Sequence, residues 1–148
     1  MADTSCHYTL EVGFPYEKLW ELLAFSKDEG YTVTPWITED GVRSQKRSKE
    51  HPAGFTIVDE LLASTQGAGF ASFDYKIASE VEENEIFKEQ VGCVGFRGKH
   101  SVIRAANPDR CVYIYTAQWE SAPEGFKEQT ISLIEKKTGE VVEKLGQE

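Results

Sequence analysis

The stretch CVYIYTAQWESAPEGFKEQTISLIEKKTGEVVEKLGQE, from Cys111 to Glu148, decides how the rest of the chain is arranged. Its first part, Cys111 to Glu120, is dominated by β-branched and aromatic residues and reads as a strand. Ser121-Ala122-Pro123-Glu124-Gly125 ends it, because Pro cannot donate to a ladder and Gly frees the turn. Beyond that the period changes. Ile131, Ile134, Thr138, Val141 and Leu145 recur three or four apart and share one helical face. Glu128, Glu135, Lys136, Glu140, Glu143 and Lys144 take the solvent side. An amphipathic helix of about five turns needs a surface to bury its stripe against. Nearly everything structured upstream reads as strand, so the expectation is a bent sheet gripping one long C-terminal helix.

Working outward, His7 to Gly13 is a first strand with Tyr8, Leu10 and Val12 on one face. Pro15 suits the first position of a helix. There Tyr16, Leu19, Trp20 and Leu23 form a stripe, and Ser26 to Gly30 ends that helix or begins a second short one. Tyr31 to Thr38 is strand-like, and Pro35 makes it an edge or bulged strand. Asp40-Gly41 is a hairpin turn into Val42 to Ser48. Phe55 to Thr65 and Phe70 to Glu80 are further strands around a Gln66-Gly67-Ala68-Gly69 turn. Val81 to Glu85 is an acidic connection. A sixth strand runs from Phe87 or Val91 to Ala105, and the Cys111 strand follows. The class is α+β with an antiparallel seven-stranded sheet, one domain over residues 1–148.

Composition limits the partners. The net charge of −9 argues against general affinity for nucleic acid or an anionic membrane. The stretch RSQKRSKEH (Arg43 to His51) is a local exception, read as a solvated hairpin or as an anion or partner patch. No apolar run approaches the roughly 18 residues needed to cross a bilayer, and the first ten residues lack the features of a signal peptide. Cys6, Cys93 and Cys111 are unpatterned, which suits reduced thiols in a cytoplasmic protein.

The segments GFPYEKLWELL (Gly13 to Leu23) and FTIVDELL (Phe55 to Leu62), the three final strands, and Pro123-Glu124-Gly125 before the helix resemble the Bet v 1-like superfamily. This group is also called START-like or SRPBCC, and polyketide cyclase/dehydrase-type members look nearest. The resemblance spans nearly the whole chain. It implies a helix-grip fold and a cavity that handles a small hydrophobic molecule. The chain departs from plant pathogenesis-related members, whose glycine-rich loop is replaced here by Glu39-Asp40-Gly41-Val42-Arg43. It also lacks the loop sequences of plant abscisic acid receptors.

Strand alternation nominates the site. In the sixth strand Val94, Phe96, Gly98, His100, Val102 and Arg104 share the more apolar face, so His100 is the general acid/base candidate. The bland alternative is a hydrogen-bonded core histidine. Phe73, Tyr75 and Ile77 point inward from the fifth strand, and Tyr75 with Arg104 resembles the pairs of aromatase/cyclase-like members. Expected ligand-binding residues are Phe73, Ile77, Phe96, Val102, Tyr115, Trp119, Trp36, Ile134 and Thr138. Alternation leaves open which face of the last strand is inward, Tyr113/Tyr115/Trp119 or Val112/Ile114/Thr116. Thr138-Gly139 reads as volume left beneath the sheet or as a helix weak point. His7, His51 and His100 are too dispersed for a zinc pattern, and no phosphate or dinucleotide loop is present, so no metal or cofactor is expected.

Three functions compete at this level. One is a carrier of a hydrophobic, aromatic or polycyclic molecule. Another is a cyclase- or dehydratase-type lyase using His100, Tyr75 and Arg104. The third is a co-chaperone-like interaction module; under any of the three, the chain is expected to be a monomer or homodimer.

Overall fold

The computed structural model describes residues 3–51, 54–78 and 83–147. The chain runs β1 (Ser5–Val12), α1 (Tyr16–Leu23), β2 (Thr32–Val33), β3 (Ile37–Glu39), β4 (Val42–Ser44) and β5 (Lys46–Glu50). It continues through β6 (Thr56–Gly67), β7 (Phe70–Ile77), α2 (Glu83–Val91), β8 (Arg97–Arg104), β9 (Cys111–Gln118) and α3 (Phe126–Gly146). Seven strands form one antiparallel sheet in the order β1-β9-β8-β7-β6-β5-β2, and β3-β4 is a separate two-stranded hairpin. The long α3 packs on the inner face, which is the helix-grip arrangement of an α+β domain.

The decisive C-terminal stretch folds as its periods require. In β9 the alternation resolves to Cys111, Tyr113, Tyr115 and Ala117 buried, with Trp119 following them inward. In α3, Thr138 and Leu145 are buried and Ile131, Ile134 and Val141 half-buried against the sheet. Gly125, with φ 85°, opens the helix in a left-handed conformation that a Cβ would strain. Helix α1 buries Leu19, Trp20 and Leu23, and Pro15 sits at its N-cap, one position earlier than expected.

Three local expectations need correcting. The segments Tyr31–Thr38 and Val42–Ser48 are each broken in two. Around Pro35 the chain leaves the main sheet, so β2 is a sheet edge while β3 and β4 form the outlying hairpin. The expected acidic connection at Val81 to Glu85 lies partly outside the described residues; from Glu83 to Val91 the chain is helix, not strand. Phe87 and Val91, four apart, present one helical face, and that spacing was the available signal. Last, β8 begins only at Arg97. Gly92 and Gly95 adopt φ of 77° and 74° and turn the chain before it.

The largest departure is β5. The basic stretch expected to be solvated puts Gln45 and Arg47 into the core, with Arg47 only 1% exposed. Arg47 and Asp59 are register partners across β5 and β6, and Arg47 Nε donates to Asp59 Oδ2 at 3.3 Å. Arg47 Nη1 donates to the Phe25 carbonyl at 3.4 Å, tying β5 to the exit of α1. Its guanidinium also lies over the Tyr31 and Phe25 rings, 3.7 and 4.5 Å from their centroids.

Removing one partner of such a pair strands a buried charge, at a cost of about 3–5 kcal/mol. Asp59→Ala and Arg47→Ala are therefore expected to lower urea-unfolding stability by about that much, whereas Arg47→Met/Asp59→Leu loses far less than the two single losses added together. A second expectation concerns Gly98, where a Cβ would meet the Tyr75 ring at 2.6 Å. Gly98→Ala should cost about 1–3 kcal/mol in the same assay by overpacking.

Candidate functional site

The inner face of the sheet is filled unevenly. Towards one end, α1 and the segment after it press Trp20 and Phe25 onto Phe73, with ring centroids 5.9 and 5.6 Å apart. Towards the other end, α2 and α3 face the sheet across a cavity of about 480 Å³. Its apolar walls include Ile57, Ile77, Phe87, Phe96, Phe126 and Ile134. Its polar lining includes Tyr31, Asp59, Tyr75, His100 and Tyr115, with Asp28, Lys49 and Lys137 towards the rim. An apolar hollow with a few convergent polar groups is the ordinary form of a small-molecule site.

Cross-strand rows set the position of the polar groups. Tyr75, Gly98, Ala117 and Cys6 are successive register partners on β7, β8, β9 and β1. Only the first is large, so the Tyr75 ring lies over Gly98. In the next row Phe73, His100, Tyr115 and Tyr8 are partners. His100 sits among rings, stacked on Tyr75 at 5.6 Å and tilted against Phe73 and Tyr115 at 4.8 and 4.9 Å.

Two hydrogen bonds join these side chains. Tyr75 and Tyr115 hydroxyls lie 2.9 Å apart, and His100 Nδ1 lies 2.7 Å from the Tyr113 hydroxyl. The tyrosine pair shares one bond but owns two protons, so one hydroxyl proton remains for a bound acceptor. On His100 the bond to Tyr113 occupies Nδ1 and leaves Nε2 for a ligand.

Burial sets the charge states. It lowers the His100 pKa well below the usual histidine range, and Lys137, Arg47 and Lys49 lower it further. The imidazole is therefore neutral. Burial likewise holds the Tyr75, Tyr113 and Tyr115 hydroxyls well above their ordinary range, as protonated donors. Asp59 is raised by burial and pulled back by Arg47. Burial also pushes the Cys93 and Cys111 thiols up to about 12 and 11, which removes both as nucleophiles near neutral pH.

Of the residues nominated from sequence, Tyr75, Ile77, Phe96, His100, Tyr115 and Ile134 line the cavity. The others do not. Phe73 and Val102 are buried on the same face, but Phe73 packs under α1. Trp119 stands behind Phe96, stacked at 6.2 Å. Thr138 is 2% exposed, and its hydroxyl donates back to the Ile134 carbonyl at 2.9 Å. The neighbouring Gly139 faces solvent, so it opens no volume beneath the sheet. Two expectations are corrected outright. Arg104 ends β8, exposed, four residues from His100 and hence about 13 Å along the strand. Trp36 lies just before the outlying hairpin, 46% exposed, with Arg43 over its ring at 4.3 Å.

Sequence reasoning missed Asp59, Tyr31, Lys49 and the two α2 residues. Asp59 had a visible signal, as an acid at the same parity as Phe55 and Ile57 in the FTIVDELL strand. Tyr31 had none, because its position depends on what packs over it. Among the described residues, no group of three or more His, Cys, Asp or Glu could hold a metal ion. Nor is any described helix long and apolar enough to cross a membrane.

No protein-family model matches the chain, and no curated protein sequence matches it. Solved structures do. The protein XoxI from Bacillus cereus is 15% identical with a TM-score of 0.59, covering 99% of this chain and 94% of that one. A truncated norcoclaurine synthase from Thalictrum flavum is 12% identical with a TM-score of 0.53, covering 98% and 96%. Ara h 8.0201 is 10% identical with a TM-score of 0.56, covering 94% and 92%. At these identities the likeness is one of fold, and the fold is the Bet v 1-like helix grip.

Proposed function

We propose that the protein binds a small, largely apolar molecule bearing a hydrogen-bond acceptor, in the cavity between the sheet and α3. The carrying observation is the cavity itself, about 480 Å³ and apolar-walled, with Tyr75, His100 and Tyr115 along its lining. That volume is of the size that encloses a drug-sized ligand. The unspent hydroxyl proton and His100 Nε2 would orient the ligand, and leaving them unpaired in a filled site would cost affinity. Planar aromatic ligands suit the rings of Tyr75, Phe96 and Tyr115. The fold's solved relatives support ligand handling in general and name no ligand for this chain.

Binding is favoured over conversion by the state of the polar groups. A lyase of cyclase or dehydratase type needs a group that takes and returns a proton near working pH. His100 is held neutral, the tyrosines are held protonated, and Arg104 is outside the cavity. These features favour fixed hydrogen bonding.

The test is titration with N-phenyl-1-naphthylamine, a neutral dye that brightens in apolar sites. Saturable binding is expected, and Ile134→Trp, which fills the cavity from α3, should weaken it at least about tenfold, or 1.4 kcal/mol. Unchanged dye affinity in a folded Ile134→Trp protein would sink the reading. The state of His100 has its own check. Its folded pKa is depressed, so below about pH 6.5 the unfolded chain binds a proton that the folded chain refuses. Stability should therefore fall as pH drops from 7 to 5.5, approaching about 1.4 kcal/mol per pH unit below the unfolded pKa. Urea midpoints of His100→Gln should lack that part of the pH dependence.

A further inference from the structure

Basic side chains gather around Tyr31, at the cavity's edge, in a chain whose net charge is −9. Arg47, Lys49 and Lys137 converge on the Tyr31 ring, their charged centres 3.7, 4.9 and 4.8 Å from its centroid. Two of them are matched: Arg47 pairs with Asp59, and Lys137 pairs with Asp28. The third is not. Among the described residues, no carboxylate lies within ion-pair distance of Lys49. Neighbouring acids at the rim are turned to other uses. Glu50 accepts from the Thr56 hydroxyl at 2.8 Å on the exposed side of the strands, and Glu140 is exposed on α3.

Lys49 extends from β5 on the same face as Arg47, half-buried, and lines the cavity. A cation held against a ring at an apolar mouth is partly stripped of water, so a bound anion gains more there than at an open surface. Of the three cations around Tyr31, Lys49 alone lacks a paired carboxylate, while Glu50, Glu140 and Lys136 also line the cavity. One unpaired ammonium suits a monoanion, whereas a dianionic phosphate would leave a second charge unmatched and desolvated.

We propose that the ligand of this cavity is an amphipathic carboxylate. Its head group pairs with the Lys49 ammonium beside Tyr31, and its apolar body lies between Ile57, Ile77, Phe96 and Ile134. This deepens the binding reading above and rests on it.

The experiment is displacement of N-phenyl-1-naphthylamine by dodecanoate and by dodecan-1-ol, which share a chain and differ in the head group, with calorimetry of both compounds alongside. The protein should prefer dodecanoate by at least about tenfold, and Lys49→Met should cut the ratio below about threefold. Lys127→Met, which removes a charge outside the cavity, should leave the ratio intact. Lys49→Gln serves as a second variant, should the first fold poorly. Dye binding with no head-group preference would overturn the carboxylate inference and spare the cavity reading. So would a preference that survives both Lys49 substitutions. Failure of the dye and both compounds to bind would overturn the cavity reading itself, and this inference with it.

Discussion

A charged pair in the core, Arg47 with Asp59, holds together the half of the molecule that contains the cavity. The guanidinium is shut off from solvent, and solvation lost on that scale is recovered only where geometry and extra hydrogen bonds are good. Here the extra bond goes to the Phe25 carbonyl, and the remaining coverage comes from the faces of Tyr31 and Phe25. One side chain thereby joins β5, β6, the end of α1 and the segment entering β2. It also presents Asp59 to the cavity while Arg47 stays behind Tyr31.

The cavity follows from an imbalance of filling. A bent sheet offers more inner surface than α3 alone can cover. The short α1 plugs one half with Trp20 and Phe25, and α2 roofs the other half from a distance set by Phe87 and Val91. Collapse of the hollow is resisted by ring packing. His100, Tyr75 and Tyr115 brace one another through stacking and the 2.9 Å hydroxyl bond, above a floor of Gly98 and Ala117. Polar groups so placed are costly if nothing meets them, and Lys49 adds an ammonium with no ion-pair partner among the described residues.

Much of the frame was legible because each element carries its own period. The stripe from Ile131 to Leu145, the Leu19-Trp20-Leu23 face, and the alternation of Phe73 and Tyr75 are local facts that packing had no reason to override. The site was legible only in part. His100, Tyr75, Phe96 and Ile134 lie on elements whose inward face the pattern identifies, and they line the cavity. Arg104 shares that parity but ends its strand. Alternation gives the side of a sheet and says nothing about distance along it.

The sequence by itself determined the class of the fold, the long C-terminal helix, the inward faces of β1, β7 and β8, and the absence of any phosphate-loop or dinucleotide motif. These follow from periods of two and 3.6 residues and from turn chemistry, which act within a few neighbours. Tertiary structure alone decided the parity of β9, the burial of Arg47, the use of Gly98 as floor for Tyr75, and the gathering of three cations around Tyr31. Each of these depends on residues brought together from strands and loops distant in the chain. A charge reads as solvated until its partner is placed, and Asp59 reaches Arg47 only through the register of β5 on β6.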